Sequence, residues 1–334
     1  MSINDKKMKK KVFLSIIIPT FNKLDNVLDL LKSINIQNIK NTEIIIVDDG
    51  SKPKLKKKLT KFKIKYKFIK NSGPATARNL GAKISSGKFL LFVDSDLVLP
   101  KNFLYKLKNF LKKGKVKVGS IPYGIKSNVD NILSQYKAFF DHFNVSLKLK
   151  KKEDKLLLGS ACVFERKIFF KYKGWNQDIK TPSIENEEFT KRLQDMEIIR
   201  LKNFHVEHKF PTGKYLFKEI FQRSNDWVFS KLNNKVEFDG LSRSKKNGFF
   251  SLQPLLFFAT LLLIYIDDNF PSFILYIPLF LFILGNLNFF YFLLENDKLI
   301  RIIKYVFIHF FFCFFVSLGA LVGLFKYSFY RIFN

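Results

Sequence analysis

The chain has 334 residues, 47% hydrophobic and 26% charged, enough for one large core or two modest ones. Its two cysteines, Cys162 and Cys313, exclude a disulfide framework or a zinc cluster and fit a reducing compartment. A formal charge of +30, carried mostly by Lys, draws the chain to anionic surfaces. Lys, Asn, Ile and Phe all have A/T-rich codons, so base composition accounts for part of that bias. Lys6–Lys11, Lys54–Lys67 and Lys148–Lys155 therefore read first as solvated surface and second as aids to membrane docking.

In chain order, Met1–Lys11 is polar and basic, and Val12–Pro19 is too short for the apolar core of a signal peptide, so none is expected. Phe13–Ile18 is a continuous β-branched run, the mark of a strand buried on both faces, and Glu43–Val47 and Phe89–Val93 share that character. Between the first two, Val27, Leu28, Leu30, Leu31 and Ile34 repeat on a helical period over Asp25–Ile34. Gly73–Ser85 is helical in pattern as well. Strand, helix and strand in this order predict an open, mostly parallel α/β sheet, whose ligands bind beyond the carboxyl ends of the strands.

Near Asn247 the composition changes to Phe, Leu and Ile. Three apolar stretches follow, about 249–266, 273–294 and 305–325, each close to the ~20 residues that cross a bilayer. Gln253 and Pro254 interrupt the first, which reads as a span or as an interfacial segment, so two or three spans are expected. Residues 1–247 form the expected catalytic domain and 248–334 the membrane region. The loop Glu295–Lys304 carries Lys298, Arg301 and Lys304. With the basic N-terminal region, it places the catalytic domain in the cytoplasm.

The strand ends carry the chemistry. Pro19, Thr20, Phe21 and Asn22 follow the first run, Asp48, Asp49, Gly50 and Ser51 the second, and Asp94, Ser95 and Asp96 the third. Two carboxylates one residue apart can hold a hard divalent ion through oxygen and so neutralise a diphosphate. The order and spacing of Ser15–Asn22, Glu43–Ser51, Gly73–Ala82 and Phe89–Asp96 resemble the family 2 glycosyltransferases, over roughly residues 12–210.

That resemblance implies the GT-A fold, an α/β Rossmann-like mixed sheet, followed here by an α-helical membrane region. It implies inverting transfer of a sugar from a nucleotide-sugar donor, assisted by Mg²⁺ or Mn²⁺. Pro19, Thr20, Phe21, Asn22, Asp48, Asp49, Arg78, Asn79, Asp94 and Ser95 would bind the donor. Asp94 and Asp96 would hold the metal, with His208 able to assist; His205, three residues earlier, reads as surface or packing. Gly174, Trp175 and Asn176 would lie on the acceptor side.

The segment Glu185–Phe189, aligned on Arg192, puts Asn186 where the family usually has the Asp that acts as general base. Asn cannot take a proton, which leaves Glu185 or Glu187 as the expected base. The competing expectation is a catalytically impaired scaffold that binds a nucleotide-sugar. Expected partners are the donor, a glycan or lipid-linked acceptor and membrane lipids, at a bacterial inner membrane. Nucleic acid is not expected, because the charge is spread without an aromatic binding signature. Gln222–Trp227 reads as part of an amphipathic helix at the membrane surface, with Phe217, Ile220, Phe221 and Trp227 on its apolar side.

Overall fold

The computed structural model describes residues 12–144, 157–179, 184–210, 212–233 and 245–333. The basic runs Lys6–Lys11 and Lys148–Lys155 lie outside the described residues. The chain divides into two compact units, Met1–Ile121 with Leu157–Val206, and Pro122–Leu156 with Glu207–Asn334.

The first unit runs β1 (Leu14–Thr20), α1 (Leu24–Asn35), β2 (Thr42–Asp48), β3 (Lys65–Phe68), α2 (Pro74–Ile84), β4 (Phe89–Val93), β5 (Leu97–Val98), α3 (Phe103–Lys112) and β6 (Val118–Ser120). After an excursion into the second unit it resumes with β8 (Ala161–Glu165), α5 (Arg166–Lys171), α6 (Glu185–Arg192) and β9 (Ile198–Arg200). The second unit holds β7 (Tyr123–Ser127), α4 (Ile132–His142), α7 (Lys214–Leu232), α8 (Lys245–Ile266), α9 (Tyr276–Asn296) and α10 (Leu299–Phe333). Strand β10 (Val206–His208) straddles the boundary.

Seven strands of the first unit form one sheet in the order β3-β2-β1-β4-β8-β6-β9. β1 is central and buried along its whole length, as its unbroken apolar run requires. It pairs in parallel with β2 and β4, while β8 runs antiparallel to β4 and makes the sheet mixed. Thr20 lies opposite Asp48 and Ile17 opposite Phe92, so the polar segments that follow β1, β2 and β4 share one rim. Helix α2 starts on Pro74 and turns Ala75, Ala77, Gly81 and Ala82 into the core. These small side chains bring the helix close enough to the sheet for the long Arg78 side chain to be buried beside the rim.

At the opposite end of the sheet, the Glu43 carboxylate accepts from the Ser15 and Ser86 hydroxyls at 2.6 and 2.9 Å and pairs with Lys65 at 2.6 Å. Burial alone would raise its pKa. Lys65 and the serine donors outweigh burial and bring it from the ordinary 4.5 down to about 2. A lowered carboxylate stabilises the fold fully above its unfolded value and loses that contribution as pH falls through the folded one. Glu43→Gln should therefore cost about 1–2 kcal/mol at neutral pH. It should also flatten the fall in melting temperature between about pH 4.5 and pH 2, followed by thermal scans of the detergent-solubilised protein.

In the second unit, Gly248–Ile266, Ser272–Asn296 and Leu299–Ile332 are each long and apolar enough to cross a membrane. Pro254 does not divide the first: α8 is continuous, and Gln253 Nε2 donates to the Phe249 carbonyl one turn earlier. α10, with 35 residues, is about 52 Å long and exceeds a ~30 Å hydrocarbon core. Gly319 and Gly323 lie one turn apart on it, where a Cβ would meet the backbone oxygens of Phe221 and Asn225 at 2.3 and 2.6 Å. Their lack of side chains lets α7 lie directly along α10. Phe217, expected on an apolar face of α7, packs at a tilt against Phe315 with ring centroids 5.1 Å apart.

Two of the polar residues within the apolar stretches are bonded within the unit. His309 Nδ1 accepts from the Tyr136 hydroxyl at 2.7 Å and its Nε2–H donates to Asn286 Oδ1 at 2.9 Å, which ties α4, α9 and α10 together. The division at residue 247 read from composition is thus not where the compact units part. β7, α4 and α7 are ordinary in composition, yet they pack with the apolar helices through Ile125, Tyr136, Phe139, Leu216 and Ile220.

Candidate active site

The rim begins with β1. The Asp49 N–H donates to the Thr20 carbonyl at 2.8 Å, while the Thr20 hydroxyl is buried without a hydrogen-bond partner. Phe21 is exposed. Asn22 adopts a left-handed conformation, and its Oδ1 accepts from the Lys52 N–H at 2.8 Å, which joins the β1 and β2 loops.

The two aspartates after β2 are anchored by the protein itself. Asp48 Oδ1 accepts from the Ser51 N–H at 2.9 Å, and Oδ2 accepts from the Leu55 N–H at 3.2 Å and from the Tyr66 hydroxyl. Asp49 accepts from the Ser72 and Gly73 amides at 2.7 and 2.9 Å. Burial raises the Asp49 pKa against the pull of those two amides. Both residues were expected to touch a donor. Their carboxylates are hydrogen-bonded to the loops around the rim.

At the end of β4, Asp94 and Asp96 are each held by a cation. Arg78 Nη2 donates to Asp94 Oδ1 at 2.8 Å, and Lys23 Nζ pairs with Asp96 Oδ2 at 2.7 Å. Ser95, between them, is buried. Arg78 is 3% exposed and also faces Glu185 Oε1 at 3.5 Å from its Nη1. Burial would lower its pKa, but Asp94 and Glu185 outweigh burial and raise it, so the guanidinium stays charged. One buried cation therefore ties the strand-end aspartate to the first turn of α6.

Asn79, expected to bind the donor, has its side-chain amide engaged by the backbone of Trp175. Its Nδ2 donates to the Trp175 carbonyl at 2.7 Å and its Oδ1 accepts from the Trp175 N–H at 3.0 Å, an amide clamp on the expected acceptor segment. The Trp175 indole packs edge-on against Phe92 at 4.7 Å, lies 5.2 Å from the Arg78 guanidinium and donates from Nε1 to Asn186 Oδ1 at 3.1 Å. Asn186 also fills the space beside Gly159, where any Cβ would collide with it. It therefore acts as an acceptor that seats Trp175. Asn176 closes a turn by accepting from the Asp178 N–H at 3.0 Å.

Glu187 is 5% exposed on the same helix. Arg192, which anchored the alignment, and Glu188, given no role from sequence, form a bidentate pair at 2.6 and 2.9 Å, and Arg192 also donates to the Gly174 carbonyl at 2.7 Å. Their i, i+4 spacing was the available signal. Lys23 was missed too, although it directly follows the first rim segment. Cys162 is buried in the sheet, where burial raises its pKa, and it serves packing.

His208 belongs to the second unit and lies between Tyr123 and Phe210, ring centroids 5.1 and 4.1 Å away, while His205 is exposed. Among the described residues, no three His, Cys, Asp or Glu side chains converge as a metal cage. Two carboxylates suit an ion that completes its shell with water and substrate phosphate oxygens, as Mg²⁺ does, so Asp94 and Asp96 fit one by donor chemistry.

A model of glycosyl transferase family 2 matches residues 15–173. The poly(ribitol-phosphate) β-N-acetylglucosaminyltransferase TarP of Staphylococcus aureus is 33% identical over 245 residues, covering 69% of this chain and 69% of TarP. An uncharacterised glycosyltransferase of Rickettsia conorii is 46% identical over 88 residues, which is 25% of this chain but only 14% of that protein. The chain thus spans a small part of the rickettsial relatives it matches. Among solved structures, the mannosyltransferase PcManGT of Pyrobaculum calidifontis, in complex with GDP-Man and Mn²⁺, aligns with a TM-score of 0.56 at 14% identity. That alignment covers 94% of this chain and 87% of the mannosyltransferase. This likeness is one of fold, and the fold is GT-A. A third of positions shared with TarP over more than two thirds of both chains, with the family's motifs gathered on one rim, shows that the chain belongs to glycosyl transferase family 2.

Proposed function

We propose that the chain is an inverting glycosyltransferase that moves a sugar from a nucleotide-diphospho-sugar to a glycan or lipid-linked acceptor of the cell envelope. Residues 1–247 would work at the cytoplasmic face of a bacterial inner membrane, and residues 248–334 would hold them there. The observation that carries this reading is Arg78, which links Asp94 on the donor side to Glu185 at the head of α6. Phe21, exposed at the rim beside Thr20 and Asn22, would offer its ring to the nucleotide base.

Asp94 and Asp96 would hold Mg²⁺ or Mn²⁺, with Lys23 swinging aside into solvent. Such an ion would neutralise the departing diphosphate. Glu185 is the carboxylate brought within one residue of that centre, and we assign it to take the acceptor hydroxyl proton; geometry precedes basicity in choosing a base. Asn186 and Asn79 would fix Trp175, whose ring is buried in the core, and so position the segment Gly174–Asn176 that would face the acceptor. TarP is named for transfer to a poly(ribitol phosphate), which supports a polymeric acceptor here. The three apolar helices and the basic turn with Lys298, Arg301 and Lys304 support the membrane placement.

The test is hydrolysis of UDP-, GDP- and dTDP-sugars by detergent-purified protein with Mg²⁺ or Mn²⁺. One donor should turn over only with metal. Asp96→Ala should lower that rate at least roughly a hundredfold, since the ion supplies several kcal/mol. Asn186 favours a second reading, a scaffold that binds a nucleotide-sugar without transferring it. Donor binding with no turnover toward any envelope acceptor would establish the scaffold and overturn the enzyme.

A further inference from the structure

Ten lysines and no acidic residue lie between Lys52 and Lys70, and all ten lysines are exposed. The fold gives them a definite shape. β3 is the last strand at one edge of the sheet, and from Lys61 to Phe68 lysine alternates strictly with an apolar or aromatic residue. Within β3 itself Lys65 and Lys67 lie on one side, about 6.6 Å apart, and Lys61 and Lys63 precede them in the turn and connection that lead into the strand. Leu55, Leu59 and Phe62 are buried, which turns Lys56, Lys57, Lys58, Lys61 and Lys63 outward. Lys65 is paired with Glu43, and Lys54 lies over the Phe68 ring at 4.4 Å.

The array is fastened to the donor rim. The Tyr66 hydroxyl and the Leu55 amide both donate to Asp48, whose neighbour Asp49 holds Ser72 and Gly73 at the start of α2. We propose that this lysine-lined edge is a track for a polymeric acceptor with regularly spaced phosphates, running along β3 and the preceding turn toward the rim. The proposal rests on the glycosyl-transfer reading and adds the chemical class of the acceptor.

A linear polyanion fits this surface better than a lipid leaflet does. An anionic leaflet would also attract these cations, but no large apolar side chain between Lys52 and Lys70 is exposed to insert beside them. A single-stranded nucleic acid would need exposed rings for stacking, and Phe62, Tyr66 and Phe68 are not exposed.

The test uses the full chain in nanodiscs of neutral lipid and a short and a long fluorescent ribitol-phosphate oligomer, with binding read by anisotropy. Wild type should bind the long oligomer more tightly than the short one, and salt should weaken that binding. A Lys57→Gln, Lys61→Gln, Lys63→Gln triple variant should bind the long oligomer roughly tenfold more weakly. An equal loss of charge elsewhere in the same unit, Lys112→Gln, Lys113→Gln, Lys115→Gln, should leave binding as in wild type.

Equal affinity of wild type and the first triple variant would overturn the track and reduce these lysines to edge protection. In discs rich in phosphatidylglycerol, amide protection of residues 52–70 together with lost oligomer binding would assign them to the leaflet and also overturn it. Oligomer binding needs no turnover. Failure here with intact donor hydrolysis therefore leaves the transferase reading standing, whereas loss of donor hydrolysis strikes that reading alone.

Discussion

Arg78→Lys should cut sugar transfer roughly a hundredfold or more while leaving a folded protein, and Arg78→Ala should unfold far more easily than wild type. The reason is the burial of one guanidinium between two carboxylates, with Asp94 at 2.8 Å and Glu185 at 3.5 Å. Arg is planar and carries several donors, so it can serve both partners at once; a Lys ammonium cannot span them. Removing the cation leaves carboxylates facing each other without a countercharge. Stranding a partner of a buried ion pair costs about 3–5 kcal/mol.

The same change would release Asp94 from its hold and widen the gap between β4 and α6. Transfer by Arg78→Lys should fall roughly a hundredfold or more, since misplacement near 1 Å already costs that much. Glu185→Gln tests the coupling. In wild type it removes a partner of Arg78, whereas in the Arg78→Lys background it removes a charge already poorly served. The two changes should therefore cost less together than the sum of their separate effects in chemical denaturation. Additive costs would mean that the 3.5 Å contact carries no energy and that donor and acceptor sides are not linked through Arg78.

The parts of this site that could be read from sequence are those set by local pattern. The buried strands show as unbroken β-branched runs, and Phe89–Val93 was placed to the residue. Helix Asp25–Ile34 became Leu24–Asn35 because its apolar period fixes the face while its ends are set by turns. The rim itself followed from the rule that parallel strands present their carboxyl ends together.

Side-chain pairing across the fold could not be read that way. Asn79 sits beside Arg78 in one motif and was grouped with it, yet on a helix consecutive residues point in directions 100° apart. Arg78 turns to Asp94 and Asn79 to Trp175, which is 96 residues away. The lysines of β3 looked like plain solvated surface, because only the strand order shows that they form an edge. The grouping of α4 and α7 with the apolar helices was equally hidden. Tyr136 is unremarkable in sequence until His309, 173 positions later, is brought to its hydroxyl.

The position of Asn186 yields the sharpest experiment on the chemistry. Glu185→Gln removes the assigned base and should lower acceptor-dependent turnover by roughly 10²–10⁴-fold, the usual worth of general base catalysis. Glu187→Gln should leave that turnover near the wild-type rate. The decisive variant is Glu185→Gln with Asn186→Asp. The Oδ1 of Asn186 already accepts from the Trp175 indole at 3.1 Å, and a carboxylate oxygen accepts equally well there. Asp has nearly the shape of Asn, so the tight fit beside Gly159 is kept.

The substitution would return a carboxylate to the place where the family usually carries one. The double variant should recover at least part of the turnover lost in Glu185→Gln. Asn186→Asp alone should keep the fold and retain activity. The readout is single-turnover transfer in which donor hydrolysis without acceptor serves as the measure of an intact donor site. Full activity of Glu185→Gln would remove that residue from the chemistry. Recovery in the double variant would show instead that the helix head accepts a base at either of two adjacent positions, because Arg78 orients the first and Trp175 the second.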